Sequence, residues 1–545
     1  MVAGMRNFFR KYHKWFSLVA TLFILFFAAS GIILNHRNLL SGIDIDRNFL
    51  PSAYRYNNWN LAAIKGSEQI SDDSILVYGN LGVWLTNSSY QQFRVFNTGF
   101  PKGVDNRKIN TVHFNKRSGL YAGTLFGMFR YDFKKGRWDR IEVPSGDERI
   151  VKIITIGDTL MVMSRSLLMM TILGNNPEQA ENHHVSDRSS DNGIARKKTV
   201  INSTNVQIPK FSIISIPPPE GWDGKVGLFR TFWVVHSGEI YGFAGKILVD
   251  FVGLSIILLC ITGLIYFLIP HRIRRLKDEL HRSRLKRFNR GTLRWHNIVG
   301  SWLFPVLILT TFTGMFLRPP LLITIAGSRL QPIPFSELDS PNPWFDKLRD
   351  FEFDRESGRF ILATQEGIFE ADLQFKKKLK LLPYQPPVSV MGINVLKKIP
   401  GTGYLIGSFS GIFIWNTETG TITDYITKLP FYRTGVEGPP FGQVSVAGFC
   451  RVNDSTEVVF DYAVGIMAVK GKNPFPAMPE AIISQSPISL WNLALEIHTG
   501  RIFQPVLGGF YILIVPLIGL MTLVILVSGF FSWWLARRKH PRSQT

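Results

Sequence analysis

The stretch HKWFSLVATLFILFFAASG, residues 13–31, is an apolar run that begins with a histidine and ends with a Ser-Gly pair. Residues 296–314, HNIVGSWLFPVLILTTFTG, repeat this arrangement with the same spacing between the histidine and the glycine. A helix needs about 20 predominantly apolar residues to cross a bilayer. Both stretches therefore predict membrane-spanning helices, and their shared ends indicate an internal duplication.

Two further apolar runs have the same two features. His236 precedes a run that contains Thr262-Gly263, and His498 precedes a run that contains Ser528-Gly529. The sequence thus predicts four transmembrane helices, two in each half of the chain. Equivalent helices run in the same direction, which is the pattern of a parallel repeat about an axis along the membrane normal.

The basic residues are concentrated beside these runs. The chain has a formal net charge of +22, and ten Lys or Arg with only two acidic residues lie between His271 and Arg294. More basic residues precede the first run and follow the last. Positive residues flank membrane helices on the cytoplasmic side, so both termini and the middle segment are predicted to be cytoplasmic. This distribution argues against nucleic-acid binding as the reason for the charge.

The predicted fold class is an integral membrane protein with four transmembrane α-helices in two parallel repeats, residues 1–270 and 290–540, and a large extracytoplasmic all-β domain. The predicted segments are the N-terminus with the first helix (1–36), a β-rich domain (37–235), the second helix (236–270), a basic cytoplasmic loop (271–295), the third helix (296–318), another β-rich domain (319–497), the fourth helix (498–536) and a basic cytoplasmic tail (537–545). The polar stretch 174–200 is predicted to be a mobile loop.

A shorter repeat recurs within the two long loops. Each copy has apolar residues, small residues, a two-residue spacer and a glycine followed by apolar or aromatic residues. The glycines are Gly82, Gly127, Gly367, Gly411 and Gly465, and residues 161–169 form a copy without glycine. Each copy predicts two short strands joined by a tight turn in which glycine accepts a positive φ.

The spacing of these glycines, about 40–55 residues, is typical of β-propeller blades. Each loop supplies about three blades, which cannot close a ring and would leave sheet edges exposed. Six blades can close one. The sequence therefore predicts a single propeller-like domain built from both loops, with two independent β-rich domains as the alternative.

The helix directions place two histidines and two small-residue pairs at each side of the membrane. The cytoplasmic level holds His13, His296, Gly263 and Gly529. The outer level holds His236, His498, Gly31 and Gly314. Two neutral imidazoles bind a haem iron from opposite faces, and small residues let a flat macrocycle approach the backbone. Because the sequence has no Cys-x-x-Cys-His, it predicts two non-covalent haems b, one at each level.

Other interpretations of these residues stay open. Histidines at helix ends also occur among lipid headgroups, and small residues also serve close helix packing. His36, near the outer end of the first helix, is a further candidate ligand for the outer haem or for substrate iron. Lys246 and Asp250 are spaced as an i, i+4 pair, or they contact haem propionates or ligand histidines.

The helix motifs resemble those of the PepSY-associated transmembrane family, which includes iron-regulated proteins and siderophore reductases of bacterial inner membranes. The matching elements are His13-Lys14-Trp15, Ser30-Gly31, Trp295-His296, Thr313-Gly314, His498-Thr499-Gly500, Ser528-Gly529, Trp533-Trp534 and Arg537-Arg538, with His236-Ser237-Gly238 and Thr262-Gly263 as a looser copy. The resemblance implies a b-type di-haem protein that passes electrons outward to ferric siderophores. The long loops depart from the family, because they resemble propeller blades and not the compact PepSY domain.

Three functions are consistent with the sequence. The first is a bacterial inner-membrane ferric or siderophore reductase that receives electrons from a quinol or a cytoplasmic reductase, with the basic middle segment as a docking site for an acidic partner. The second is a non-catalytic, membrane-anchored propeller that binds a periplasmic ligand or partner protein. The third is a transporter, for which four helices are few.

Overall fold

The structure is a computed structural model that describes residues 2–173, 210–389, 392–399, 401, 403–432 and 442–538. The chain divides into two compact units, here called the membrane unit and the β unit. The membrane unit comprises Met1–Leu40, Asp223–Pro341 and Leu490–Thr545, and the β unit comprises Ser41–Trp222 and Asn342–Ser489. The predicted mobile loop at 174–200 lies outside the described residues.

The membrane unit is helical, as expected for apolar segments that must satisfy their backbone polar groups internally. The described helices of the chain are α1 (Val2–Asn35), α2 (Arg37–Leu40), α3 (Leu228–Ser237), α4 (Gly242–Arg275), α5 (Glu279–Trp302), α6 (Phe304–Met315), α7 (Leu321–Ile325), α8 (Glu480–Ser484, in the β unit), α9 (Leu490–His498), α10 (Gln504–Leu507) and α11 (Ile514–Arg538). Two short strands, β14 (Val226–Gly227) and β15 (Arg329–Leu330), pair within the membrane unit.

Three helical stretches of the described chain are long and apolar enough to cross a membrane. They are Gly4–Asn35, Glu239–Arg275 and Arg501–Arg537. The third predicted helix, 296–318, differs from the expectation, since α5 and α6 form a candidate span only together and are bent by 66° at their junction. Pro305 explains the break, because proline lacks a backbone N–H and its ring clashes with the carbonyl four residues earlier.

The basic segment 271–295, predicted as a loop, is mostly helical. α4 continues through Arg275, and α5 begins at Glu279 after a short interruption. Asp278 caps α5, because its carboxylate accepts a hydrogen bond of 2.8 Å from the backbone N–H of Leu280. The cluster of basic residues therefore lies on the C-terminal end of α4 and the N-terminal part of α5.

The second and fourth predicted helices also begin later than expected. His236 and His498 lie at the ends of the short helices α3 and α9 and do not start the long ones. Gly238 and Gly500 follow with φ values of 78° and 73°, the left-handed conformation in which glycine commonly ends a helix. The long helices α4 and α11 start only after these turns.

The β unit consists of antiparallel sheets. Its described residues form six principal sheets, five of four strands and one of three, plus a short ladder. The sheets are β2 (Gly66–Ser71), β3 (Ser74–Gly79), β4 (Gly82–Thr86), β5 (Phe93–Val95); β6 (Ile109–Asn115), β7 (Gly119–Thr124), β8 (Gly127–Asp132), β9 (Arg137–Ile141); β10 (Ile150–Ile156), β11 (Thr159–Ser164), β12 (Leu168–Ile172), β13 (Ser212–Ile214); β16 (Leu348–Asp354), β17 (Arg359–Thr364), β18 (Gly367–Asp372), β19 (Lys380–Leu381); β20 (Ile393–Ile399), β21 (Gly403–Ser408), β22 (Gly411–Trp415), β23 (Ile422–Asp424); and β24 (Val446–Asn453), β25 (Thr456–Asp461), β26 (Gly465–Lys470). The ladder pairs β1 (Asp44–Ile45) with β27 (Ile488–Ser489).

The repeated glycines occupy the turns that the sequence predicts for them. Each begins the third strand of its sheet and has a positive φ: Gly82 (90°), Gly127 (98°), Gly367 (133°), Gly411 (126°) and Gly465 (93°). Residues 161–169, the copy without glycine, contribute to β11 and β12. The prediction of paired strands joined at these positions is confirmed.

The first strands of the six sheets lie beside one another in the order β2, β6, β10, β16, β20 and β24, and β24 lies beside β2. Lys152 of β10 joins the two long loops, since its ammonium lies 3.2 Å from Asp350 Oδ1 and 3.7 Å from Glu352 Oε2 of β16. Burial disfavours a charged lysine, but the two carboxylates outweigh it and raise the pKa of Lys152. Lys152 thus links β10 to β16 through two partly buried ion pairs.

Glu68 on β2 belongs to the same group of buried polar side chains. Burial raises its pKa to about 7, against the opposing hydrogen bond from the Phe114 backbone N–H and the nearby Lys397 and Lys152. Because the folded-state pKa lies above the ordinary glutamate value of about 4.5, the unfolded chain ionises first as the pH rises. The contribution of Glu68 to the free energy of unfolding therefore falls as the pH rises from about 4.5 to about 7 and stays low above that range.

We expect Glu68→Gln to remove this penalty while keeping an oxygen acceptor for the Phe114 N–H. The stability gained over wild type should be small near pH 4.5 and rise to about 2–3 kcal/mol at pH 8, measured by chemical denaturation across the pH range. Glu142→Gln, at an exposed position, is the control and should show no such dependence. A pH-independent difference for Glu68→Gln would contradict the assignment.

Candidate functional site

Two pairs of histidines meet in the membrane unit. The ring centroids of His13 on α1 and His296 on α5 lie 6.1 Å apart. Those of His236 on α3 and His498 on α9 lie 5.9 Å apart. All four side chains are partly buried. The structure thus brings together the histidines that the sequence assigns to the same membrane level, and their role as ligands stays a prediction.

Each histidine ring lies against the glycine of a small-residue pair on another helix. A methyl group added to Gly314 would lie 2.6 Å from Cε1 of His236, and one added to Gly529 would lie 2.8 Å from Cε1 of His13. At the other two contacts the space is larger: a methyl group would lie 3.2 Å from His498 at Gly31 and 3.5 Å from His296 at Gly263. The predicted glycines therefore lie against the imidazole rings and provide the space that these rings occupy.

The ring nitrogen Nδ1 of each histidine is held by the helix that carries its glycine. His13, His236 and His498 donate Nδ1–H to the carbonyl oxygens of Ile525, Thr310 and Phe27, each at 2.9 Å. Nδ1 of His296 lies 2.9 Å from the Thr262 hydroxyl and also hydrogen-bonds the backbone of Leu259. A carbonyl oxygen only accepts, so Nδ1 carries the proton and Nε2 keeps its lone pair.

This donor set fits a haem iron. Metal–imidazole bonds are about 2 Å long, so two axial imidazoles on one iron have ring centroids about 6 Å apart, close to both separations seen here. Among the described residues, no group of three or more His, Cys, Asp or Glu side chains is placed to hold a metal ion. Two imidazoles are nevertheless a complete protein ligand set when a porphyrin supplies the other four donors.

The four histidine–glycine contacts all join one half of the chain to the other. His13 and His236 of the first half lie against Gly529 and Gly314 of the second. In return, His296 and His498 of the second half lie against Gly263 and Gly31 of the first. The duplicated sequence therefore builds each pair from one histidine of each half.

His36 lies outside both pairs. Its Nε2 is 2.7 Å from Asp250 Oδ2, and the Asn35 side-chain amide donates to Asp250 Oδ1 at 3.0 Å. Of the alternatives open for Lys246 and Asp250, the structure gives Asp250 a contact with a histidine, His36, while the Lys246 ammonium lies 3.2 Å from Glu239 Oε1. The structure thus places His36 beside a carboxylate and not beside a second imidazole, and its ligand role stays a prediction.

Sequence reasoning missed the groups that hold the imidazoles. The carbonyl acceptors belong to residues three positions before each Ser or Thr of the small-residue pairs, and no side chain identifies them. The hydrogen bond between His36 and Asp250 joins residues that are 214 positions apart in the sequence. One available signal was the glycine two residues after His236 and His498, which is typical of a helix end.

Comparison with known proteins identifies the family of the chain. The sequence matches the model of the PepSY-associated TM region twice, over residues 2–269 and 267–537. No match to a curated protein was found. Among solved structures, the extracellular domain described for a one component system of B. thetaiotaomicron is 12% identical, with a TM-score of 0.32 over 77% of this chain and 40% of that one. The computationally designed Ika8 protein is 7% identical, with a TM-score of 0.29 over 76% of this chain and 98% of that one.

Similarities of that size to solved structures support no structural argument. The family match, in contrast, extends over almost the whole chain and divides it at the point where the helix pattern repeats. Its two copies include the four histidines and the four small-residue pairs whose contacts are described above. The chain belongs to the PepSY-associated transmembrane family.

Proposed function

We propose that this membrane protein holds two haems b and passes electrons outward to an extracytoplasmic acceptor. The observation that supports this most directly is the pairing of four histidines whose Nδ1 atoms are already hydrogen-bonded, which leaves Nε2 of each ring as the donor for a metal. His13 and His296 would hold the inner haem, and His236 and His498 the outer one. When bound, haem supplies a one-electron ferric/ferrous couple.

The protein's own contribution is to position the imidazole rings and to exclude water from the two sites. The hydrogen bonds from Nδ1 to backbone oxygens fix the tautomer and orientation of each ring, and they raise the basicity of Nε2. The apolar helices exclude water, which strengthens these interactions. His36 and Asp250 lie near the proposed outer ends of α1 and α4, where they would accompany the outer haem.

The proposed orientation in the membrane rests on the distribution of charge. The basic N-terminal residues, the middle segment and the C-terminal tail are proposed to face the cytoplasm of a bacterium, with the chain in its inner membrane. A quinol or a cytoplasmic reductase would then supply electrons at the inner level. The long loops would face the periplasm, where the acceptor is ferric iron or a ferric siderophore.

The six principal sheets are proposed to form one six-bladed propeller that binds the acceptor or its carrier. The order of the first strands, with β24 returning to β2, supports this arrangement. So do hydrogen bonds between the two loops, such as Phe449 N–H to the Lys65 carbonyl at 3.2 Å and Leu348 N–H to the Arg165 carbonyl at 2.8 Å. A single ring should resist limited proteolysis, whereas two independent domains should release two stable fragments.

An absorbance spectrum of the purified protein tests the proposal. We expect a Soret band, with sharp α and β bands on reduction. The double variant His13→Ala/His296→Ala should lose about half of the bound haem, and His236→Ala/His498→Ala the other half. His281→Ala, an exposed position beside Asp278, is the control and should retain both. A folded but colourless wild-type protein would overturn the proposal in favour of a membrane-anchored binding protein.

A further inference from the structure

The two histidines of each pair are not held alike. The Ser30 hydroxyl lies 3.1 Å from Nδ1 of His498, and the Thr262 hydroxyl lies 2.9 Å from Nδ1 of His296. At the equivalent positions of the other half, the structure gives Thr313 and Ser528 hydrogen bonds to backbone carbonyls and none to a histidine ring. Each pair therefore contains one imidazole with an adjacent hydroxyl and one without.

The direction of these hydrogen bonds follows from the other contacts of the hydroxyls. Ser30 donates its own proton to the Phe26 carbonyl at 2.6 Å, and Thr262 donates to the Leu258 carbonyl at 2.7 Å. A hydroxyl has one proton and two lone pairs, so the oxygen of each is left to accept from the imidazole. Nδ1–H of His498 is then shared between the Ser30 oxygen and the Phe27 carbonyl.

We propose that Ser30 and Thr262 are positioning residues that lower the reduction potentials of the two haem sites. The inference rests on the proposed function. A second acceptor on Nδ1–H draws the imidazole toward imidazolate character and makes Nε2 a stronger donor. A stronger donor stabilises the ferric state, which carries the greater positive charge, so the potential falls. Ser30 acts through His498 at the outer site and Thr262 through His296 at the inner site.

The alternative role for both hydroxyls is purely local. Ser and Thr in membrane helices commonly bond the carbonyl four residues earlier, and Thr313 does so as well, at 2.8 Å from the Leu309 carbonyl. If that were the only role, removing any of the four hydroxyls would have the same effect on the haems. The chain thus contains a control for each proposed residue at the equivalent position of the same sequence motif: Thr313 for Ser30 and Ser528 for Thr262.

Four single variants of the full-length protein separate these roles: Ser30→Ala and Thr262→Val as tests, and Ser528→Ala and Thr313→Val as controls. The measurement is a redox titration followed at the α band. We expect Ser30→Ala to raise the potential of one haem and Thr262→Val that of the other. Each should change the ratio of reduced to oxidised haem at fixed potential by about three- to tenfold, where tenfold corresponds to about 59 mV for one electron. The controls should change it by less than about twofold.

Conservative variants guard against indirect effects. Thr262→Ser and Ser30→Thr keep the hydroxyl, so their reduction potentials should lie closer to the wild-type values than those of Thr262→Val and Ser30→Ala. Equal shifts in all four hydroxyl-deleting variants, or none in any, would overturn the assignment of Ser30 and Thr262 while leaving the haem proposal intact. A protein that binds no haem would instead overturn the proposed function. The low-spin ferric signal in electron paramagnetic resonance gives a second readout, which should change in the two test variants alone.

Discussion

Gly529→Ala and Gly314→Ala should each weaken haem binding at one site while leaving the protein folded. The added methyl group would lie 2.8 Å from Cε1 of His13 or 2.6 Å from Cε1 of His236, well inside the usual contact distance of about 3.5–4 Å. The ring must move, and the movement breaks the hydrogen bond from its Nδ1 to the Ile525 or Thr310 carbonyl. A displaced imidazole no longer meets the iron, so we expect the haem affinity of that site to fall by at least about tenfold, or about 1.4 kcal/mol.

The two other glycines serve as controls in the same motif. Gly263→Ala places a methyl group 3.5 Å from His296, which is an ordinary contact, and should retain the inner haem. Gly31→Ala, at 3.2 Å from His498, should have an intermediate effect on the outer one. Alanine favours a helix over glycine by about 1 kcal/mol, so unfolding should not become easier in the four variants. Full haem content in Gly529→Ala and Gly314→Ala, measured as haem per protein, would refute the prediction.

Gly465→Ala should be among the most destabilising single substitutions in the β unit. Gly465 has a φ of 93°, and a methyl group on it would overlap the carbonyl oxygen of Asn58. That carbonyl accepts a hydrogen bond of 2.9 Å from the Ile466 N–H, and Tyr462 accepts another of 2.8 Å from Leu61, so the turn is fixed against the first loop. Backbone strain and overpacking together should cost about 3–5 kcal/mol.

Gly358→Ala separates the two contributions to this cost. Gly358 also has a positive φ, 67°, but a methyl group there would meet nothing within 4 Å. It should therefore lose only about 1–2 kcal/mol from backbone strain. Chemical denaturation in detergent, followed by tryptophan fluorescence, measures both. Equal losses in the two variants would show that the contact between Gly465 and the first loop contributes nothing to stability.

Local patterns predicted much of this architecture. The equal spacing from His13 to Gly31 and from His296 to Gly314 fixed the duplication, because a membrane helix has a set length and a regular rise. The recurring glycines marked strand turns, since only glycine takes a positive φ there without strain. Both signals depend on nearby residues, so no tertiary information was needed.

Other features depend on contacts that sequence distance conceals. α3 and α9 were not predicted, because residues 228–235 and 490–497 were assigned to the β-rich domains and His236 and His498 were placed at the starts of the long helices, whereas the backbone turns at Gly238 and Gly500. An i, i+4 spacing suggested a partner for Asp250, but a histidine on another helix occupies it. Ser30 hydrogen-bonds the His498 ring, whereas Ser528 donates to the Ile525 carbonyl, and this difference in helix packing is not encoded in two similar motifs.

The crossed histidine–glycine contacts have a consequence for how such a protein arises. Since every imidazole lies against a glycine of the other half, one half alone contains four complementary surfaces and no completed pair. A half-length polypeptide with this sequence pattern could complete the same contacts only by associating with a second copy of itself. Fusing two such copies into one chain makes the association of the halves independent of protein concentration. It also allows the sequence of each half to change separately, as seen in the different hydrogen bonds of the four Ser and Thr hydroxyls and in His36, which has no counterpart in the second half.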